Sequence, residues 1–236
     1  MNTDLLKRLC ETPGVPGNEH RVRDLILAEV TGLFDDVRVD PMGSIHCVRK
    51  AASADAQKIM LLCHMDEIGF LVSHIDKNGY LYLQPVGGFD PRNLFSRRVL
   101  VCTDDGDFKG VMNPGGKPIH ISSPEDRKKV PLVGEFFVDL GMGKATHDHI
   151  KIGDFVVMDE PFLEMGDKFV SKALDNRIAC WLGIEAMRGL AKDAGRGAEI
   201  HVVFTTQEEV GLRGGRTAAH HVKPDIGIGI DVTLSC

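Results

Sequence analysis

The first candidate for chemistry is a histidine among carboxylates, in the segment CHMDE at residues 63–67. It ends a short apolar run at residues 59–63, which is typical of a strand buried on both faces. His64 and Asp66 are two positions apart, so in an extended segment their side chains share one face. A metal-ligating histidine needs a partner for its second ring nitrogen, and Asp66 can supply one. A surface histidine beside acidic turn residues explains this segment, taken alone, equally well.

Two adjacent carboxylates follow a second predicted strand. Residues 199–205 are predicted to form a buried strand, and Glu208 and Glu209 follow two residues after its end. Adjacent carboxylates beside a buried strand repel each other unless a cation or a proton compensates. Neighbouring side chains in an extended segment point apart, so one can bind a metal ion while the other takes a proton from water. A solvated turn is the alternative explanation.

Two single aspartates complete the set. Asp175 precedes a predicted helix at residues 176–190, and Asp231 ends an apolar run at residues 226–230 that predicts a third buried strand. Each could simply cap a helix. An acid at the end of a buried strand is also a frequent position for an active-site residue, because ligands gather at the carboxyl ends of strands in open α/β sheets.

Together these positions offer one histidine and several carboxylates, a mixed nitrogen and oxygen donor set that suits Zn²⁺ or Co²⁺. Such a set can hold two ions about 3.5–4 Å apart that share a carboxylate and a water. The spacing alone leaves open whether the residues converge.

The elements that must position these residues predict an α/β fold with an insert. Residues 70–165 alternate strand-like runs with turn clusters and contain no long amphipathic helix, which is the pattern of a small β-barrel. Helical and buried-strand patterns occur on both sides of this stretch. We therefore predict a catalytic domain at residues 1–69 and 166–236, interrupted by a β-barrel domain at residues 70–165.

Composition excludes some classes of partner. The formal net charge of −6 disfavours a dedicated nucleic-acid or anionic-membrane binder, because both need a basic surface. The first residues show neither a signal peptide nor a membrane anchor. The six cysteines form no CxxC pair, which favours a cytoplasmic protein without disulfides.

The four clusters, in this order, resemble the tetrahedral (TET-type) dinuclear metalloaminopeptidases, a family that includes glutamyl and deblocking aminopeptidases and some members labelled endoglucanases. The resemblance covers essentially the whole chain. The stretches that carry it are CHMDEIGF at residues 63–70, KALDNR at 172–177, TTQEEVGLRGG at 205–215 and GIDVT at 229–233.

The resemblance implies an α/β/α sandwich with an inserted β-barrel, peptide substrates, two Zn²⁺ or Co²⁺ ions per complete subunit, and dimers that build dodecamers. It implies that His64 and Asp231 bind one metal and Glu209 the other. By the same resemblance, Asp175 corresponds to the carboxylate that both metals share. The peptide bond after Asp175, to Asn176, is implied to be cis.

The resemblance also implies the catalytic roles. Glu208 corresponds to the general base that activates water, and Asp66 to the catalytic-site carboxylate that orients His64. Members of the family continue beyond the point that corresponds to the end of this chain and supply a final histidine to the metal bound by Glu209. From this we expect residues 1–236 alone to hold one zinc ion firmly and to show negligible peptidase activity.

Two other functions remain open at this level. One is an endoglucanase-type glycosidase, which works with two carboxylates and needs no metal. The other is a non-catalytic oligomerisation fragment whose useful part is the β-barrel.

Overall fold

The computed structural model describes residues 2–191 and 195–234, and these divide into two compact units. The first unit runs to Glu67 and resumes at Pro161, and the second is Ile68–Glu160. The second unit is therefore inserted in sequence between two halves of the first.

The first unit combines helices with a mixed sheet. Its elements in chain order are α1 (Thr3–Glu11), α2 (His20–Val30), β1 (Asp36–Val39), β2 (Ile45–Arg49) and β3 (Lys58–His64), followed after the insert by β10 (Leu163–Met165), β11 (Lys168–Val170), α4 (Leu174–Leu190), β12 (Glu199–Thr205), α5 (Arg213–Val222) and β13 (Ile226–Gly229).

The sheet of the first unit has the strand order β1-β2-β12-β3-β13. β12 and β13 both run parallel to β3, with Thr205 opposite His64 and Gly229 opposite Leu62. β2 runs antiparallel to β12, and β1 to β2. The parallel register brings the carboxyl ends of three strands to one edge of the sheet.

Helices cover both faces of this sheet. One face packs against α1, α2 and α4 in a core that includes Leu5, Ile26, Cys63, Ile184 and Phe204. The other face packs against α5 through a smaller cluster of Met60, Val203, Ala218 and Val222. Alternate residues of β3 and β12 thus serve opposite faces, as the pleat requires. This is the predicted α/β/α sandwich.

The second unit is a closed β-barrel. Its elements are β4 (Gly69–Ile75), β5 (Leu81–Val86), β6 (Arg97–Thr103), β7 (Gly106–Pro114), β8 (Phe136–Asp139), the short helix α3 (Thr146–His149) and β9 (Phe155–Met158). The strands pair around the barrel in the order β4-β5-β8-β7-β6-β9. The interior is apolar and includes Phe70, Leu81, Val99, Met112 and Val156. The predicted β-barrel is confirmed.

One predicted buried strand is exposed instead. Ile226 and Ile228 on β13 are 43 % and 46 % exposed. The reason is position in the sheet, because β13 pairs only with β3 among the described residues. An apolar run shows that a strand can be buried, but the position of the strand within the sheet decides how much of its surface neighbouring elements cover.

Five of the described cysteines are buried, and none of them forms a disulfide bond: Cys10, Cys47, Cys63, Cys102 and Cys180. Cys236 lies outside the described residues. Among the described helices, none combines the length and the apolar character needed to cross a membrane.

A carboxylate on α2 joins three helices of the first unit. Glu29 accepts from Arg8 of α1 at 2.8 Å and from Arg188 of α4 at 2.6 Å, one arginine on each oxygen. Burial raises the pKa of Glu29, but the hydrogen bonds with the two arginines outweigh this and hold the pKa below its ordinary value of 4.5. The folded state therefore favours the ionised carboxylate.

We expect Glu29→Gln to lower the free energy of unfolding by about 1 kcal/mol at neutral pH. Because the folded pKa is depressed, the stabilisation is complete above the unfolded pKa and is lost as the pH falls through the folded pKa. Urea denaturation of both proteins at successively lower pH measures the difference. Glu185→Gln is the control, since Glu185 pairs with Arg188 within α4 and does not join two helices. If the loss in free energy of unfolding caused by Glu29→Gln stayed constant down to acidic pH, the stabilisation would not come from the ionised carboxylate of Glu29.

Candidate metal centre

His64 ends β3 and is nearly buried, with 4 % of its side chain exposed. Its Nδ1 lies 3.2 Å from the carbonyl oxygen of Asp66 and 3.4 Å from a carboxylate oxygen of the same residue. Its Nε2 lies 3.1 Å from Asp175 Oδ1 and 3.7 Å from Glu208 Oε2. Nδ1 therefore contacts Asp66, and Nε2 faces the carboxylates of Asp175 and Glu208.

The fully buried carboxylate of Asp66 is shared between the histidine and the loop after β12. It accepts the backbone N–H of Glu208 on Oδ1 and that of Glu209 on Oδ2, each at 3.0 Å. Asp66 thus fixes His64 on one strand end relative to two carboxylates on the next.

Side-chain oxygens hold the first part of the loop that follows β12. The four successive amides of residues 206–209 donate to Ser44 Oγ, Glu19 Oε1 and the two oxygens of Asp66, at 3.0–3.2 Å. Glu19 and Ser44 are buried. Sequence reasoning did not identify either residue, because each acts on backbone groups that become its neighbours only through the fold.

Asp175 lies just ahead of the regular part of α4. Ala173 has a left-handed φ of 55°, and Asp175 and Asn176 have non-helical backbone angles. The Asp175–Asn176 peptide bond is cis, as predicted from the resemblance. The side chain of Asp175 is 55 % exposed, and its carboxylate faces His64.

Asn176 connects this segment to the end of β13. Its buried side-chain amide donates to the carbonyl oxygen of Ile230 at 2.7 Å and to Asp231 Oδ1 at 3.1 Å. The sequence analysis did not assign Asn176 a role. Because Asn176 follows Asp175 directly, these hydrogen bonds hold Asp231 near Asp175.

All six predicted site residues therefore meet at the carboxyl edge of the sheet. Ligand atoms of His64, Asp175 and Asp231 lie within 4.8 Å of one another, and so do those of His64, Glu208 and Glu209. A histidine nitrogen with carboxylate oxygens is a donor set that fits Zn²⁺. Both groups share His64, so this residue is common to every ligand set found among the described residues.

The electrostatics of the site call for a cation. Burial raises the pKa of Glu209 to about 7, and the charge of Asp175 adds to the effect. Burial also raises the pKa of Glu208, with the nearby acidic charges opposing the effect of His64. Burial lowers the pKa of His64, but its hydrogen bonds with Asp175 and Asp66 prevail, and the pKa is raised to about 10. The raised pKa values of Glu208 and Glu209 reflect clustered negative charge, which a divalent ion could compensate.

Comparison with known proteins gives the family. The family model described as M42 glutamyl aminopeptidase matches residues 43–236, well over half of the chain. The chain belongs to the M42 glutamyl aminopeptidase family. The predicted family is confirmed, and because M42 is a peptidase family, it gives no support to a glycosidase.

Similar proteins match the chain over nearly its whole length. The lysyl aminopeptidase of Pyrococcus furiosus is 34 % identical over 239 residues, which cover 98 % of this chain and 66 % of that protein. A TET aminopeptidase from a marine sediment archaeon of the Thaumarchaeota matches with a TM-score of 0.92 at 33 % identity, over 100 % of this chain and 66 % of that one.

A third similar protein is an assembling peptidase. The TET1 peptidase of Pyrococcus horikoshii, which can assemble into a tetrahedron or a large octahedral shell, matches with a TM-score of 0.89 at 30 % identity, over 100 % of this chain and 70 % of that one. The chain spans 62 % to 66 % of the length of several relatives, about two thirds.

The double hydrogen bond of Asp66 generates a prediction about stability. Asp66→Ala leaves the amides of Glu208 and Glu209 without their acceptor, which should lower the free energy of unfolding by about 1–3 kcal/mol. Chemical denaturation in the presence of a chelator measures this without any contribution from bound metal. Asp55→Ala, at an exposed position, is the control and should change stability little. If the two variants had equal free energies of unfolding, the hydrogen bonds of Asp66 would not contribute to stability.

Proposed function

We propose that this chain forms the metal-binding part of an aminopeptidase that removes N-terminal residues from peptides by metal-assisted hydrolysis. The observation that carries the proposal is the convergence of one histidine and four carboxylates at the carboxyl ends of three parallel strands. Membership of the M42 glutamyl aminopeptidase family supports it.

Each residue at this edge then has a distinct task. His64, Asp175 and Asp231 would hold one divalent ion, and Asp175 with Glu209 would hold a second. The chemistry that bound Zn²⁺ or Co²⁺ supplies is a lowered pKa of bound water and polarisation of the peptide carbonyl. Asp66 keeps the imidazole of His64 in place through Nδ1.

Glu208 is the proposed general base. Its carboxylate lies beside the ligands, 3.7 Å from His64 Nε2, and is 25 % exposed. It would accept a proton from water and deliver it to the leaving amine. A raised pKa brings a carboxylate closer to the value at which it can both accept and return a proton near neutral pH.

The rest of the proposal concerns organisation and setting. We assign the catalytic domain to residues 1–69 and 166–236 and the inserted barrel domain to residues 70–165; the compact units divide after Glu67 and Glu160. The described cysteines form no disulfide bond, which supports a cytoplasmic setting. The shells formed by the Pyrococcus horikoshii relative support a homo-oligomer, with peptides as the partners.

Zinc titration tests the metal site on the chain itself. We expect about one firmly held Zn²⁺ per chain, because His64, Asp175 and Asp231 form a sufficient protein ligand set and both sets found share His64. His64→Ala should abolish tight binding, whereas His201→Ala should not, since His201 hydrogen-bonds Glu199 within β12. Elemental analysis after dialysis gives the stoichiometry, and equal zinc retention by both variants would refute the site.

Substitution of the two adjacent glutamates separates base from ligand. In the whole protein, Glu208→Gln should keep the metal content and lower turnover of an aminoacyl-nitroanilide by about 10²-fold or more, because it removes a proton acceptor. Glu209→Gln should instead weaken metal binding. Equal metal loss in both variants would contradict the assignment of Glu208 as base and Glu209 as ligand. Hydrolysis of glucans that survives chelation would indicate a two-carboxylate glycosidase instead.

A further inference from the structure

A buried charge network of Lys172, Glu67 and Arg177 lies in the chain segments next to the proposed ligands and takes no part in the roles assigned above. Lys172 Nζ donates to both carboxylate oxygens of Glu67, at 2.8 and 2.9 Å. Only 8 % of the Lys172 side chain and 3 % of the Glu67 side chain are exposed. Arg177, which is fully buried, approaches the same carboxylate at 3.5 Å.

The network joins the two segments that carry the facing ligands His64 and Asp175. Glu67 follows Asp66 directly and lies three positions after His64, whereas Lys172 lies three positions before Asp175. Asp175 is thus bracketed in sequence by two cations, Lys172 and Arg177, that bind one carboxylate. The two partners of the Lys172–Glu67 pair are 105 positions apart in the chain.

The carboxylate of Glu67 is itself anchored. Gly14 donates its amide to Glu67 Oε1 at 3.2 Å and accepts the Glu67 amide at 2.9 Å. Arg177 adds hydrogen bonds to the carbonyl oxygens of Leu9 and Thr12, at 2.5 and 2.8 Å. Glu67 is therefore a fixed point to which the segment before α4 can be tied.

Asn176 ties the C-terminal side of Asp175 to Ile230 and Asp231, and the Lys172–Glu67 pair ties its N-terminal side. The side chain of Asp175 is half exposed, and the hydrogen bond to His64 links one proposed ligand to another. The backbone at Asp175 and Asn176 is not helical, so the regular hydrogen bonds of α4 do not set its direction. Ala173, between Lys172 and Asp175, turns the chain with a positive φ.

We propose that Lys172 and Glu67 are positioning residues, whose buried ion pair sets the distance between Asp175 and His64 and so tunes metal affinity. The inference rests on the proposed function of that site. Replacing a buried ion pair with apolar residues of similar volume often leaves the stability of a protein unchanged or raises it. Stability therefore does not explain this pair, and its position between the segments of His64 and Asp175 gives it the role of a positional restraint. Groups that orient metal ligands change metal affinity by about 10- to 100-fold when they are removed.

The test is the zinc dissociation constant of the folded chain, measured by competition with a chelating dye. Lys172→Met removes the ammonium group and should weaken zinc binding by about 10- to 100-fold. Lys172→Arg should recover most of the affinity, because a guanidinium can donate to both oxygens of Glu67. Lys168→Met is the matched control, since Lys168 forms an exposed pair with Asp167, and it should leave the affinity unchanged.

The absorption spectrum of the Co²⁺-loaded chain gives a readout that a purely stabilising role would not move. A displaced Asp175 alters the ligand geometry, so the Co²⁺ bands of Lys172→Met should shift and those of Lys168→Met should not. Should Lys172→Met fail to fold, Glu67→Gln decides by the same measurements, because it keeps an acceptor for the Gly14 amide and removes the charge.

A lower free energy of unfolding together with unchanged zinc affinity and an unchanged Co²⁺ spectrum would overturn the inference and leave the proposed function standing. The opposite case is also distinct. If the His64→Ala variant binds zinc as tightly as the parent chain does, the proposed metal site itself is wrong. The positioning role of Lys172 and Glu67 is then wrong as well.

Discussion

The buried carboxylate of Asp66 is the constraint on which the rest of the site depends. Its two oxygens bind the amides of Glu208 and Glu209 and lie against Nδ1 of His64. A carboxylate without exposure is stable as an anion only where donors satisfy it, and here these donors belong to two neighbouring strand ends. The requirement to satisfy one buried charge therefore sets the direction of the histidine and the path of the loop that carries both glutamates.

The sheet supplies the frame in which this constraint can act. β3, β12 and β13 run parallel and in register, so their carboxyl ends deliver His64, the glutamate loop and Asp231 to one edge. Open α/β sheets commonly bind ligands at this edge. Asn176 then ties the start of α4 to the end of β13, so that Asp175 and Asp231 approach the histidine from two different elements.

The site concentrates negative charge. Burial raises the pKa of Glu208 and of Glu209, and the charge of Asp175 adds to the effect in both. Next to the ligand segments, the buried carboxylate of Glu67 forms ion pairs with Lys172 and Arg177. Because Lys172 is near Asp175 in sequence and Glu67 is near His64, the Lys172–Glu67 pair links the segments that carry two proposed ligands.

The sequence by itself determined the fold class and the β-barrel insert, and it nominated the residues of the proposed metal centre. Each of these depends on local pattern: apolar runs that end at His64 and Asp231, adjacent glutamates shortly after a third run, and turn clusters spaced through residues 70–165. The resemblance added the role of Asp175, which a helix cap would otherwise have explained.

Only the tertiary structure decided what holds these residues in place. Glu19, Ser44 and Asn176 act through hydrogen bonds to groups that are distant in sequence, and Lys172 meets Glu67 across 105 positions. The exposure of β13 likewise follows from its place at the edge of the sheet among the described strands. Contacts of this kind leave no periodic signal, because the chain brings the partners together only when the strands pair and the helices pack.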